Sequence, residues 1–94
     1  MADIIWTGPA LDDLDRIADY IAIDKPEAAC RLVQVIVEKV GLSSHFPKMG
    51  RIPPELRRMS YRQIVIPPCR VFYRISSESV YIVGVLRQEQ SYPI

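Results

Sequence analysis

The stretch YRQIVIPPCRVFYRI, residues 61–75, sets Arg62, Arg70 and Arg74 in two strand-like runs around a double proline. Arginines repeated on a sheet can hold an anion, whether phosphate or the carboxylates of another protein, because a guanidinium binds both through paired hydrogen bonds. Arg51, Arg57 and Arg58 precede them in GRIPPELRRM and extend the set. The other candidate chemistries are weaker. His45, in SSHFP, has no evident Asp, Ser or Cys partner and reads as a loop or helix-end residue rather than a base. Asp12, Asp13, Asp15 and Asp19 cluster without any His, Cys or distant carboxylate aimed at them. They read as a helix surface whose N-terminus favours acids. Cys30 and Cys69 lack paired-cysteine or Cys/His spacing, which argues against a disulfide framework or zinc, and both read as small buried apolar residues. No metal and no cofactor is expected.

The elements that would carry the arginines follow from composition and periodicity. With 94 residues, 49% hydrophobic and 24% charged, the chain has room for one core, so residues 1–94 are expected to form a single domain. No apolar run reaches the ~18 residues of a membrane span, and MADIIW lacks the basic start and long apolar stretch of a secretion signal. A cytoplasmic location away from any membrane is expected. The net charge of +1 hides an asymmetry: residues 1–43 carry eight acidic and four basic groups, residues 44–94 three acidic and eight basic. A basic half can draw a polyanion or an acidic protein segment, although a mixed solvated surface is the commoner reason for a charge run.

DIIW reads as a short strand. Thr7 as N-cap and Pro9 in the first turn predict a helix over PALDDLDRIADYIAI, with Leu11, Leu14, Ile17, Ala18 and Ile21 as its apolar stripe. DKPE predicts a second helix capped by Asp24, with Pro26 early and Glu27 closing a capping box. Its apolar face is Ala29, Leu32, Val33, Ile36, Val37 and Val40, Gly41 ends it, and the short connection makes the helices an antiparallel hairpin. Periodicity then lapses over residues 43–60, where Pro47, Gly50, Pro53 and Pro54 mark a loop with one short turn at PELRRM. YRQIVI, RVFYRI and SVYIVGVLR predict a three-stranded antiparallel meander. Alternation sets Arg62, Ile64 and Ile66 on one face of the first run, and Arg70, Phe72 and Arg74 on one face of the second. Trp6 and Tyr73 read as core or core-edge residues. Gly50 permits a turn from which Arg51 can reach over the sheet.

The pattern Trp6-x(4)-Leu11-x-x-Leu14, then GRIPPEL, then YRQIVIPPCRVFYRI and a last strand ending VLR resembles the RelE/ParE superfamily of bacterial toxins, and its ParE branch more than its RelE branch, over roughly residues 6 to 88. The resemblance implies an α+β fold: an N-terminal strand and an antiparallel helical hairpin packed on a small antiparallel sheet that includes the C-terminal meander. It also implies the toxin of a type II toxin-antitoxin system of the kind associated with plasmid stabilisation. Such a toxin has a cognate antitoxin encoded beside it, forms a complex such as a heterotetramer, and meets operator DNA only through the antitoxin. For the ParE branch the implied target is DNA gyrase, held in its cleaved-DNA state by binding rather than by hydrolysis. The alternatives are a RelE-like ribosome-dependent endoribonuclease and a toxin-fold protein that has lost toxicity within an autoregulated complex. RNA cleavage needs several basic groups in one groove. By position Arg62 and Arg70 match two of them, Ile64 stands where RelE-like enzymes have a lysine, and only Arg87 and Tyr92 follow the last strand. The surface expected to meet antitoxin or target is Arg51, Arg57, Arg58, Arg62, Arg70 and Arg74. For Arg62 and Arg70 an equally weighted alternative is structural, in which they tie loops down or lie over aromatic rings.

Overall fold

The computed structural model describes residues 1–91 and confirms the α+β arrangement. Strand β1 (Asp3–Trp6) leads into α1 (Gly8–Ala22), where extended Thr7 is the N-cap: its Oγ1 accepts from the Ala10 amide and donates to the Ile82 carbonyl at 2.7 Å. One residue thus starts the helix and fixes it to the sheet. Ala10 and Leu14 are buried, Ile17, Ala18 and Ile21 are half-buried, and Leu11, expected in the stripe, is exposed.

Helix α2 (Pro26–Gly41) departs from expectation at its start. Its N-cap is Lys25, with no side-chain cap, so Asp24 does not cap it. A residue before proline is pushed out of the helical region, and Lys25 (φ −139°, ψ 78°) takes the boundary. The amides of Asp24 and Lys25 both donate to the Ile21 carbonyl and so close the end of α1. At the other end Gly41 is the last helical residue, as expected, but it stays in the right-handed region (φ −56°). The chain continues right-handed through Leu42 into a 3-10 turn, Leu42–Ser44, where Ser43 Oγ donates to the Val40 carbonyl at 2.6 Å. Ala29, Ile36 and Val40 are buried, whereas Val37 is 49% exposed and Cys30 is exposed, contrary to expectation. Each lies one residue, about 100° of helix rotation, past a buried position.

The four strands run in the order β1-β4-β3-β2. Strands β2 (Tyr61–Ile66), β3 (Cys69–Ser76) and β4 (Ser79–Arg87) make the expected antiparallel meander, but β1 pairs β4 in parallel, from Asp3↔Ser79 to Trp6↔Ile82, so the sheet is mixed. The reason lies in the return path. After α2, Ser44 bonds both backbone groups of Ala2, which brings the chain back to the start of β1. The loop then delivers β2 to the same end of the sheet as β1.

The helices cover one sheet face, where Ala10, Leu14, Ile36 and Val40 join Ile64, Val71, Tyr73 and Ile82 in one cluster. A bulge between Phe72 and Tyr73 leaves Val83 as an extra residue on β4, because Phe72 faces Gly84 while Tyr73 faces Ile82. The bulge shifts the alternation by one, so Val80, Ile82 and Val85 all reach the core. Beyond Ile82 the β4 edge has no strand beside it among the described residues, and Asp13 Oδ2 accepts from the Val85 amide at 3.0 Å. An aspartate read from sequence as plain helix surface therefore satisfies a sheet edge.

Candidate functional site

The register separates the arginines. In an antiparallel pair, facing residues share a face. Arg62 faces Tyr73, on the helix side, while Tyr61 faces Arg74 and Val65 faces Arg70, on the opposite side. Arg62 and Arg70 therefore do not line one groove.

On the outer face Arg70 is held from several directions. Its Nη1 and Nη2 donate to Glu55 Oε1 at 2.9 Å and Oε2 at 3.0 Å, Nη1 also reaches Gln63 Oε1 at 3.1 Å, and Nη2 contacts the Gln90 carbonyl. The guanidinium lies 4.9 Å from the centre of the Phe72 ring. Its Nε is the one buried side-chain nitrogen or oxygen without an acceptor among the described residues. With side-chain exposures of 12% for Arg70 and 21% for Glu55, this is a largely desolvated pair that fastens the loop turn Pro54–Leu56 to the sheet. Arg70 thus both ties a loop down and lies over an aromatic ring.

On the helix side Arg62 Nη1 donates to the Gly50 carbonyl at 2.8 Å, and buried Tyr73 donates to the Pro47 carbonyl while accepting from the Gly50 amide at 2.8 Å. Arg51 meets Gln63 through two backbone hydrogen bonds, so its backbone, not its side chain, covers the edge of β2. Burial pushes the Tyr73 phenol above its ordinary value of 10.0, against the opposing pull of the Gly50 amide and Arg62. Tyr73→Phe should cost about 1–3 kcal/mol in chemical denaturation, because it leaves a buried amide without its acceptor. A raised phenol stabilises the fold below pH 10.0 and loses that contribution as pH climbs through the folded-state value. The parent should therefore lose stability above pH 10 more steeply than Tyr73→Phe.

The remaining candidates are dispersed. Arg74 is half-buried with its guanidinium 4.3 Å from the centre of the Tyr81 ring, while Arg51, Arg57 and Arg58 are exposed and make no ion pair among the described residues. Arg87 lies over Tyr20 of α1 at 5.5 Å and pairs with Glu89, away from Arg70. Tyr92 lies outside the described residues. His45 ends the turn after α2, beside Phe46. Among the described residues no cluster of His, Cys, Asp or Glu could hold a metal. Burial raises the Cys69 thiol, against the pull of Arg87, which suits a core residue and not a nucleophile. Sequence reasoning missed Glu55, Gln63 and Asp13. The place of Glu55 beside Pro53 and Pro54, in the proline-marked loop, is the signal the sequence offers for it.

The ParE toxin family model, described as the ParE toxin of the type II toxin-antitoxin system parDE, matches residues 4–92. The chain belongs to the ParE toxin family. Among curated proteins, Toxin RelE2 of Caulobacter vibrioides is 32% identical over 85 residues, covering 90% of this chain and 93% of that one. Putative toxin Y4kP of Sinorhizobium fredii is 38% identical over 92 residues, covering 96% and 92%. Among solved structures, one of a chromosomal ParDE toxin-antitoxin system from P. aeruginosa matches with a TM-score of 0.80 at 29% identity, over 95% of this chain and 98% of that one. The conserved hypothetical protein HP0894 of Helicobacter pylori matches with a TM-score of 0.51 at 11% identity, over 96% and 98%, a likeness of fold alone. This ParE-family chain is thus a toxin of a type II toxin-antitoxin system, and its described residues contain no helix long and apolar enough to cross a membrane.

Proposed function

We propose that this toxin acts by binding DNA gyrase in its cleaved-DNA state, blocking replication, and that a cognate antitoxin neutralises it by covering the basic outer surface. The observation that carries the reading is the dispersal of the groups a nuclease would need. Arg62 holds a loop on the helix side, Arg70 is committed to Glu55 on the outer side, and Arg87 lies against α1. Cleavage of a phosphodiester needs an acid, a base and charge stabilisation around one phosphate, whereas inhibition by binding needs only a surface. The adjacent, exposed Arg57 and Arg58 supply paired positive charge that suits the carboxylates of an antitoxin segment.

A ribosome-dependent ribonuclease is the second reading, favoured by the likeness to a relative named RelE2. Supercoiling of relaxed plasmid by purified gyrase tests the first. The toxin should stop supercoiling in proportion to its concentration, and prior mixing with antitoxin should restore it. Unimpaired supercoiling at a large molar excess of folded toxin would sink the proposal.

A further inference from the structure

The exposed arginines next to Glu55 sit on a weakly self-supported turn. Pro54–Leu56 is a single 3-10 turn, closed by the Leu56 amide on the Pro53 carbonyl, and Arg57 and Arg58 follow it directly, inside a further turn closed by the Met59 amide on the Leu56 carbonyl. So short a turn cannot hold its own orientation. Two anchors bind it to the body of the protein: Leu56, 2% exposed, and Glu55, gripped by both outer nitrogens of Arg70. Arg70 is itself fixed by Phe72 beneath it and by Gln63 and Gln90 at its flanks. The fork geometry constrains direction as well as distance, so Glu55 holds the turn in one rotation about its axis.

We infer that Glu55 and Arg70 are a positioning pair that presents Arg57 and Arg58 as the toxin's recognition element for a carboxylate-bearing segment of its antitoxin. The inference rests on the basic-surface reading above and deepens it. Arg70 is not a contact. It acts through Glu55 by ordering the two arginines before the partner arrives, so that binding need not supply the ordering. The partner segment carries at least two carboxylates spaced to meet adjacent arginine side chains.

Glu55→Gln tests this with little disturbance, since glutamine keeps the shape and one acceptor while losing the charge and the second grip. Antitoxin affinity would be measured for the parent, Glu55→Gln, the double variant Arg57→Ala/Arg58→Ala, and the triple variant. The double replacement should weaken binding by ~10-fold or more, and Glu55→Gln alone by ~5-fold. Once Arg57 and Arg58 are gone, Glu55→Gln should change affinity by less than ~2-fold, because nothing remains to position. Hydrogen exchange should quicken at residues 55–59 in Glu55→Gln while β3 and β4 keep their protection, which shows that the fold persists. Equal losses from Glu55→Gln in both backgrounds, or no loss in the parent, would overturn the positioning role and leave the basic-surface reading standing. No loss from the double replacement would overturn both.

Discussion

Arg70→Ala is expected to destabilise the fold by about 3 kcal/mol, which for a domain of this size lowers the melting temperature by ~10–20 °C. The pair it breaks is largely desolvated, with side-chain exposures of 12% and 21%, and removing one partner leaves the other to bear the cost of burial without its counter-charge. Because both side chains keep some solvent contact, the loss belongs at the lower end of the usual range of about 3–5 kcal/mol for breaking a buried pair. The stacking over Phe72 goes as well. Arg70→Lys restores charge but not the fork and should recover only part of the loss. Arg74→Ala supplies the contrast: Arg74 makes a ring contact with Tyr81 and no ion pair among the described residues, so its removal should cost about 1 kcal/mol or less. Thermal unfolding of the three variants separates the roles. Equal costs for Arg70→Ala and Arg74→Ala would show that the Glu55 pair contributes nothing beyond stacking.

Gly50→Ala should be comparably damaging, at about 2–4 kcal/mol, for a reason of space. A Cβ at residue 50 would sit 2.7 Å from the Gln63 carbonyl oxygen and 2.8 Å from both the Cε1 and the hydroxyl of Tyr73. Neither neighbour can yield cheaply. The Gln63 carbonyl is in the bridge to Arg51, and the Tyr73 hydroxyl holds the Gly50 amide and the Pro47 carbonyl. The loop must lift from β2, losing the Arg62 contact with the Gly50 carbonyl as well. Denaturant unfolding should show the loss, and hydrogen exchange should place it, with the Gly50, Arg51 and Gln63 amides losing protection first. A Gly50→Ala protein within ~0.5 kcal/mol of the parent would contradict the close approach.

How much of this was legible in the sequence depends on the range over which each interaction acts. Thr7 as cap and the buried Leu14, Ile36 and Val40 follow from local periodicity, which reports on residues three and four apart. Asp24 failed as a cap because the backbone restriction imposed by Pro26 on Lys25 outweighed the side-chain preference. Alternation grouped Arg62 with Ile64 and Ile66, and the burial of those two residues places it on the helix side. Whether it shared a face with Arg70 depended on the register across the Pro67–Pro68 turn, which the strand patterns alone do not give. The parallel pairing of β1 depended on the Ser44 contact with Ala2, 42 positions apart. Glu55 and Arg70 are fifteen apart and joined through an irregular loop, and Asp13 and Val85 are 72 apart. Loop carboxylates have no period to betray their partners, so the clamp and the capped edge emerge only in three dimensions.

The central claim, that the toxin traps gyrase by binding and does not cut RNA, is tested most directly by one paired measurement on the purified chain. Cleaved-DNA complexes are counted after gyrase, plasmid and toxin are mixed and the enzyme is denatured, beside primer extension on messenger RNA under translation with the same toxin. Linearised, protein-linked plasmid that rises with toxin and disappears with antitoxin, together with uncut messenger RNA, is the expected result. Toxin-dependent cuts in translated messenger RNA with no cleaved-DNA complex would contradict it.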